Sequence, residues 1–250
     1  MGGAFYRGLS KGFSQDDLYV ADLNQSKLDE LGAKNSSTNP DEILNDVDIV
    51  ILAVKPQSFE GLMSSMKINL NYKLVVSIMA GIEMKQLKEL TGSNRIVRAM
   101  PNLSVKIGKG ITGWMASDEV GGSDIEIIKK MFSALGSEMR LENESMISAL
   151  TVISGCGPAY YFLLTELLED KAKFLGFSDD QARKLAEKTF FSSMEMLKKG
   201  DKSSRDWRHA VSSKGGVTEA ILESLENNNF HQIFSDGIDV GLKRDEELNG

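Results

Sequence analysis

Cysteine and histidine are scarce in this sequence. Its 250 residues include one cysteine, Cys156, and two histidines, His209 and His231. One cysteine excludes an intramolecular disulfide, as is typical of proteins in a reducing compartment. Together the three residues are too few for the usual structural zinc site of four cysteine or histidine ligands. We therefore expect a cytoplasmic protein without a metal centre.

Basic blocks and long apolar runs are also missing. The formal net charge is −7, with 29 Lys and Arg against 36 Asp and Glu, which argues against a cationic face for DNA or RNA. The longest apolar run, Val47 to Val54, is interrupted by Asp48 and is too short to span a bilayer. No charged segment followed by an apolar one begins the chain. We expect no nucleic-acid partner, no membrane and no export signal.

The first half of the chain alternates short β-branched runs with helical patterns. Five runs predict strands: Leu18–Ala21, Ile49–Val54, Leu74–Ile78, Arg95–Met100 and Ile111–Met115. The second of these is apolar on both faces, which is typical of a strand buried between two helical layers. Strands that alternate with helices predict an α/β fold with a mainly parallel sheet.

Strand patterns stop at about Glu144, and the remainder is helical. Residues 145–176 form one helical pattern, which we expect to break near Gly155–Pro158 because proline cannot continue the ladder of hydrogen bonds. Ser178–Gln181 is a capping box that begins another helix. The sequence thus predicts a sheet domain over residues 1–143 and an all-helical domain over residues 144–250.

The beginning of the chain has half of a nucleotide-binding pattern. Gly2 and Gly3 precede a helical pattern through Leu9, and Asp22 ends the next strand. About 20 residues normally separate a glycine-rich phosphate turn from the acidic group that binds a ribose hydroxyl. The preceding strand and the first two glycines of that pattern are missing, so Gly2 can only be the third. We expect an unfilled slot of about 5–6 residues beside the neighbouring strands, with lower stability and weaker dinucleotide binding.

Small or polar residues follow three of the predicted strands. They are Ala53-Val54-Lys55-Pro56, Met79-Ala80-Gly81 and Pro101-Asn102. Open α/β sheets bind ligands at the carboxyl ends of their strands. Any one of these segments could be an ordinary loop, but three at one edge predict a pocket.

One stretch of the helical half is rich in small residues: Ser212-Ser213-Lys214-Gly215-Gly216-Val217-Thr218, ahead of an apolar helix. An ordinary Ser or Thr helix cap would explain it. A binding site for an anion at the helix N-terminus would explain it too. These residues by themselves leave both interpretations open.

Taken together, the segments resemble pyrroline-5-carboxylate reductases. The matching stretches occur in family order: Leu52–Pro56, Met79–Gly81, Arg98–Asn102, Ser154–Tyr160 and Val211–Thr218. The resemblance implies a Rossmann-like domain that binds NADH or NADPH, followed by a helical domain that interlocks with a second subunit, often within larger rings. Apolar helices also favour a homodimer, because one small helical layer cannot bury all of Leu163, Leu167, Phe190, Phe191 and Ile221.

The resemblance also implies roles for individual residues. The expected cofactor-binding residues are Gly2, Asp22, Asn24, Ala53, Val54, Lys55, Pro56, Ala80, Gly81 and Asn102. The substrate is a small cyclic imino acid. We expect the backbone around Ser213, Gly215, Gly216 and Val217 to bind its carboxylate, and Thr218 to hydrogen-bond its imine nitrogen.

Cofactor choice stays open. Asp22 would accept from a ribose 2′-hydroxyl and so favours NADH. Asn24, Ser26 and Lys27 could instead hold the 2′-phosphate of NADPH. We expect use of both.

The sequence departs from the family in the missing first strand and at Lys214, where the family usually has proline. Two other functions therefore remain open. One is a related imine or hydroxyacid dehydrogenase, for which Lys171 or Lys214 would be the catalytic lysine. The other is a chain that oligomerises without catalysis because its phosphate loop is incomplete. We interpret Cys156 as a packing residue.

Overall fold

The computed structural model describes residues 1–249, and these form two compact units. The first consists of residues 1–158 together with the C-terminal segment from Gly241, and the second of residues 159–240. The division falls after Pro158. The expected domain boundary between residues 143 and 144 stays a prediction.

The first unit contains seven strands and six complete helices among the described residues. The strands are β1 (Tyr19–Ala21), β2 (Asn35–Ser37), β3 (Ile49–Leu52), β4 (Leu74–Ser77), β5 (Ile96–Pro101), β6 (Gly110–Ala116) and β7 (Gly136–Arg140). The helices are α1 (Gly2–Leu9), α2 (Gln25–Leu31), α3 (Phe59–Ser65), α4 (Met84–Thr91), α5 (Gly122–Ser133) and α6 (Ser145–Leu150). A π-helical turn, Thr151–Gly155, follows α6, at the place where the sequence predicts a break.

Five strands form one sheet in the order β3-β4-β5-β6-β7. All neighbouring pairs are parallel except β5 and β6, which are antiparallel. The expected α/β class with a mainly parallel sheet is confirmed. The strands β2 and β7 were not predicted, because Asn35–Ser37 and Gly136–Arg140 are polar and lack the apolar pattern of a buried strand.

The two remaining strands, β1 and β2, pair with each other in a separate parallel sheet within residues 1–249. β3 is therefore an edge strand of the larger sheet. This corrects the expectation of a strand buried throughout: Leu52 is buried, but Ile49, Val50 and Ile51 are only half-buried. β3 is more exposed because an edge strand has a neighbouring strand on one side only.

Helices cover both faces of the five-stranded sheet. On one face, Phe5 of α1 and Phe132 of α5 meet edge to face, with ring centroids 6.4 Å apart, and Trp114 of β6 lies 6.1 Å from Phe132. On the other face, Phe59 of α3 and Leu87 of α4 are completely buried. The two apolar layers hold the strand ends in place, and these ends form one of the candidate sites.

The second unit is helical. It contains most of α7 (Gly157–Phe174), then α8 (Asp179–Lys198), α9 (Ser204–Ala210) and α10 (Val217–Asn227), and the start of α11 (Phe230–Asn249). The predicted capping box at the start of α8 is present, with Ser178 accepting from the Gln181 N–H. A second capping box begins α9, where hydrogen bonds from Ser203 lower the pKa of the Asp206 carboxyl.

One helical segment of the described chain, residues 145–174, is long and apolar enough to cross a membrane by length and composition, since an 18-residue stretch within it has a mean hydropathy of 1.5. The segment was not predicted from the sequence, because scattered Ser, Thr and Gly residues interrupt its apolar runs. Large side chains on its α7 part lie on the surface of the second unit, among them Phe162, Leu163 and Leu167. An exposed apolar surface of this size is typical of a site that contacts a partner.

Candidate functional site

The carboxyl ends of β3 and β4 and the N-terminus of α1 meet at one edge of the larger sheet. A Cβ placed on Gly2 would lie 3.2 Å from the Cβ of Ala53, which directly follows β3. Any larger residue at position 2 would therefore press on this edge. α1 begins at Gly2 without a side-chain cap, so its first N–H groups and its dipole suit an anion such as a diphosphate.

The loop after β4 is shaped by Gly81. Its φ is +71°, a conformation that favours glycine. A Cβ at this position would also lie 3.1 Å from the backbone oxygen of Leu248, near the end of α11. The Ser77 hydroxyl accepts from the Met79 N–H at 3.3 Å and holds the start of the loop. Ala80 remains exposed, so this loop presents a small residue and backbone at the ligand edge of the sheet.

The segment between β3 and α3 contains the remaining residues predicted after that strand. Val54 packs against the apolar layer around Phe59. Lys55 is exposed, and Pro56 begins a short 3₁₀ turn. The structure thus places Lys55 on the surface at the end of β3, where its charge can reach a bound anion.

Asp22 lies at the end of β1, just before α2. Its carboxylate accepts from the Asn24 N–H at 3.0 Å and pairs with the Lys27 ammonium at 3.4 Å. The Asn24 side chain in turn caps α2 by accepting from the Ser26 N–H at 3.0 Å. Asp22 and the three residues that could hold a 2′-phosphate therefore form one connected cluster; the three are Asn24, Ser26 and Lys27.

Asn102 has a structural role that the sequence did not indicate. Its side-chain oxygen accepts from the N–H groups of Ser104 and Ile111, at 3.2 and 3.3 Å. Its side-chain nitrogen donates to the Ser154 hydroxyl at 3.3 Å. The amide joins the end of β5, the start of β6 and the π-helical turn. Its role in cofactor binding stays a prediction.

Arg98, in the middle of β5, has a role that was not predicted from the sequence. The side chain is 3% exposed, and its Nη1 donates to Glu144 Oε1 at 2.5 Å. The same oxygen accepts from the Met84 N–H at 2.8 Å. A charged residue within an otherwise apolar strand was the available clue, because a buried charge requires a partner.

In the second unit, the first of the predicted substrate residues, Ser213–Gly216, form a tight turn ahead of α10. The Gly216 N–H donates to the Ser213 carbonyl at 2.9 Å, and Gly215 has a φ of +73°. Lys214 has a negative φ, since Asn229 is the one non-glycine residue with positive φ in the described chain. A hydrogen bond from residue four to residue one with positive φ at position three defines a type II turn.

The residue at the N-cap of α10 is Gly216, and no side chain caps this helix. An ordinary Ser or Thr cap is therefore not the reason for the small residues here. A Cβ on Gly216 would come within 2.9 Å of the Ser213 carbonyl oxygen, so a larger residue here would require the backbone of the turn to shift. Val217 is exposed and Thr218 half-buried, and both belong to the first turn of α10, where backbone N–H groups favour an anion.

The Gly215 N–H already has an acceptor in the structure. It donates to Oε2 of Glu219 at 2.5 Å, and Glu219 lies in the first turn of α10. The sequence did not indicate this contact, because a glutamate three residues after the N-cap is common in exposed helices. It shows that a carboxylate fits beside this turn.

Comparisons with known proteins agree with both halves of this arrangement. A family model described as pyrroline-5-carboxylate reductase dimerisation matches residues 144–248. A second, described as NADP oxidoreductase coenzyme F420-dependent, matches residues 1–81. The pyrroline-5-carboxylate reductase of Pseudomonas aeruginosa is 32% identical over 209 residues, which cover 83% of this chain and 77% of that protein.

The chain belongs to the pyrroline-5-carboxylate reductase family.

Other relatives extend the match over nearly the whole chain. The pyrroline-5-carboxylate reductase of Synechocystis is 30% identical over 241 residues, covering 95% of this chain and 90% of the relative. The crystal structure of the Plasmodium falciparum pyrroline carboxylate reductase with NADP bound has a TM-score of 0.90 at 28% identity, covering 100% of this chain and 95% of that one. The predicted fold, a Rossmann-like domain followed by a helical dimerisation domain, is confirmed.

The type II turn generates a prediction for Lys214, which occupies its second position. Proline is favoured there because its ring sets the required φ. We expect Lys214→Pro to raise the free energy of unfolding by about 0.4–1 kcal/mol, mainly by restricting the unfolded chain. Urea unfolding followed by circular dichroism measures this. Lys214→Ala, which removes the same charge without the ring, is the control, and a proline variant no more stable than the alanine variant would contradict the turn assignment.

Proposed function

We propose that this chain reduces 1-pyrroline-5-carboxylate to L-proline, with NADH or NADPH as the hydride donor. The observation that carries the proposal is the glycine turn before α10. Its residues, Ser213 to Thr218, match the family's stretch except at Lys214, and the turn accommodates a carboxylate. Membership of the family over both halves of the chain supports the same reaction. This substrate carries a carboxylate, which the backbone N–H groups at the start of α10 favour.

The chain's own residues bind and orient the reactants. The nicotinamide cofactor supplies the hydride that the imine carbon receives. The N–H groups at the start of α10 hold the substrate carboxylate through hydrogen bonds and the helix dipole. The Thr218 hydroxyl hydrogen-bonds the imine nitrogen and orients it. A threonine hydroxyl is a poor acid, so water delivers the proton that the nitrogen gains. Thr218 fixes the position of the imine nitrogen.

The first unit fits a dinucleotide at the ligand edge of its sheet. A Cβ on Gly2 would lie 3.2 Å from the Cβ of Ala53, so a side chain beside the N-terminus of α1 would press on this edge. In our proposal this terminus holds the diphosphate, and the loop containing Ala80 and Gly81 approaches the nicotinamide half. The cluster around Asp22 holds the adenosine ribose.

Thr218 gives the direct test of the reaction. We expect Thr218→Val to lower kcat for imine reduction about 10- to 100-fold, because the oriented hydrogen bond to the imine nitrogen is lost. Steady-state oxidation of NADPH with 1-pyrroline-5-carboxylate measures this. Ser224→Ala, which also removes a hydroxyl from α10, should leave kcat unchanged.

An unchanged kcat in the Thr218 variant would remove this residue from the mechanism. Turnover of a hydroxyacid, with no turnover of the imine by the unmodified chain, would instead favour a hydroxyacid dehydrogenase. The absence of both activities and of dinucleotide binding would favour an oligomerising chain without catalysis.

The ion pair of Asp22 with Lys27 supports the use of both cofactors, because Lys27 offsets the charge that would repel a 2′-phosphate. We expect Lys27→Ala to lower kcat/KM for NADPH about three- to tenfold while changing that for NADH less, as the loss of one exposed charge contact predicts. Lys34→Ala, which removes a lysine paired with Asp16 instead, is the control. A preference of about a hundredfold for either cofactor in the unmodified chain would refute dual use.

The second unit supports a homodimer. A cavity of about 380 Å³ opens between α7 and α8, lined by Leu164, Leu167, Leu168, Thr189, Phe190 and Ser193. The dimerisation model of the family spans these residues. We propose that a second copy of the chain covers this surface, including the apolar α7, and that dimers can assemble further into a ring. A second copy that covers the apolar α7 buries it without a membrane, which is consistent with a cytoplasmic location.

A charge placed in this surface should prevent association. We expect Leu167→Glu to yield monomers at micromolar concentration, because dimerisation would bury an unpaired carboxylate. Light scattering coupled to size-exclusion chromatography measures the mass. Lys184→Glu, at an exposed position of α8, should remain associated. A dimeric Leu167 variant would place the interface elsewhere.

A further inference from the structure

We propose that Glu219 is a built-in competitor of the substrate: its carboxylate occupies the anion position at the start of α10, and the substrate carboxylate must displace it. This inference rests on the proposed function, since it concerns the same site. It adds a residue that sets how tightly the imine binds.

The geometry of the turn places the two carboxylates in competition. Glu219 Oε2 lies 2.5 Å from the Gly215 nitrogen, and this N–H is one of the groups proposed to bind the substrate. An N–H has a single hydrogen to donate, so two carboxylates cannot both take it at full strength. The Glu219 carboxylate therefore occupies the position proposed for the substrate carboxylate.

The position of Glu219 in the helix explains why it occupies this site. It lies in the first turn of α10, where the helix dipole favours a negative charge. The Gly215 N–H turns toward that first turn because Gly215 has a φ of +73°. The same dipole and the same N–H groups would stabilise the substrate carboxylate, so part of its binding energy is spent on moving Glu219 away.

A purely structural role for Glu219 predicts the opposite effect of mutation. If the carboxylate only held the turn closed, its loss would loosen the site and raise KM. Glutamine separates the two roles, because its side-chain oxygen still accepts a hydrogen bond from Gly215 but carries no charge. The turn is then kept while the competing anion is removed.

The experiment compares Glu219→Gln with Glu223→Gln in the full chain. Glu223 is exposed and lies one helical turn further along α10. Its replacement by glutamine changes the net charge by the same amount. We expect Glu219→Gln to lower KM for 1-pyrroline-5-carboxylate about three- to tenfold, and Glu223→Gln to change it less than twofold. Calorimetric titration with L-proline should show the same order of dissociation constants.

Two results would overturn the inference. One is a KM and a dissociation constant that rise or stay unchanged in Glu219→Gln, which would assign Glu219 to the turn alone. The other is an equal decrease in both variants, which would show a general effect of charge.

The proposed function is tested separately. If no variant reduces the imine but Glu219→Gln binds L-proline more tightly than the unmodified chain, the function fails and the competition stands. If every variant reduces the imine without the expected order of KM, the competition fails and the function stands. If no variant reduces the imine or binds L-proline, both fail.

Discussion

The buried guanidinium of Arg98 connects three parts of the first unit. Its partner, Glu144, lies just before α6, and the same carboxylate oxygen accepts from the Met84 N–H at the start of α4. β5, α4 and α6 are thereby joined at one point inside the unit. Removing Arg98 would take the ion-pair partner from the Glu144 carboxylate, and breaking a buried pair in this way typically costs about 3–5 kcal/mol. Glu144 is partly exposed, so the cost here lies toward the lower end.

Backbone groups, more than side chains, form both candidate ligand sites. At the sheet edge, Gly2 and Gly81 allow close approach to the backbone, and before α10 the same is done by Gly215 and Gly216. Such sites suit anions and small planar groups, because N–H groups bind charge without the entropy cost of ordering long side chains.

The sequence allowed a correct prediction of the elements whose own residues carry the pattern. The apolar runs of β3 to β6 and the capping box of α8 depend on neighbours in sequence, and the structure confirms them. β2 and β7 are polar strands whose pairing is decided by the rest of the sheet. The ion pair of Arg98 with Glu144 joins residues far apart in the chain. The contact of Glu219 with Gly215 depends on one side-chain rotamer, which no pattern of residue types specifies.

The two tryptophans of the chain lie in different units and in different surroundings. Trp114 is completely buried in β6, with its indole N–H donating to Glu138 Oε2 at 2.5 Å. Trp207, in α9 of the helical unit, is half-buried with the Lys202 ammonium 4.6 Å from its ring centre. Indole emission depends on the polarity around the ring, so each unit contains its own fluorescent reporter. Variants that keep only one of the two tryptophans can thus report the loss of structure in the sheet unit and in the helical unit separately.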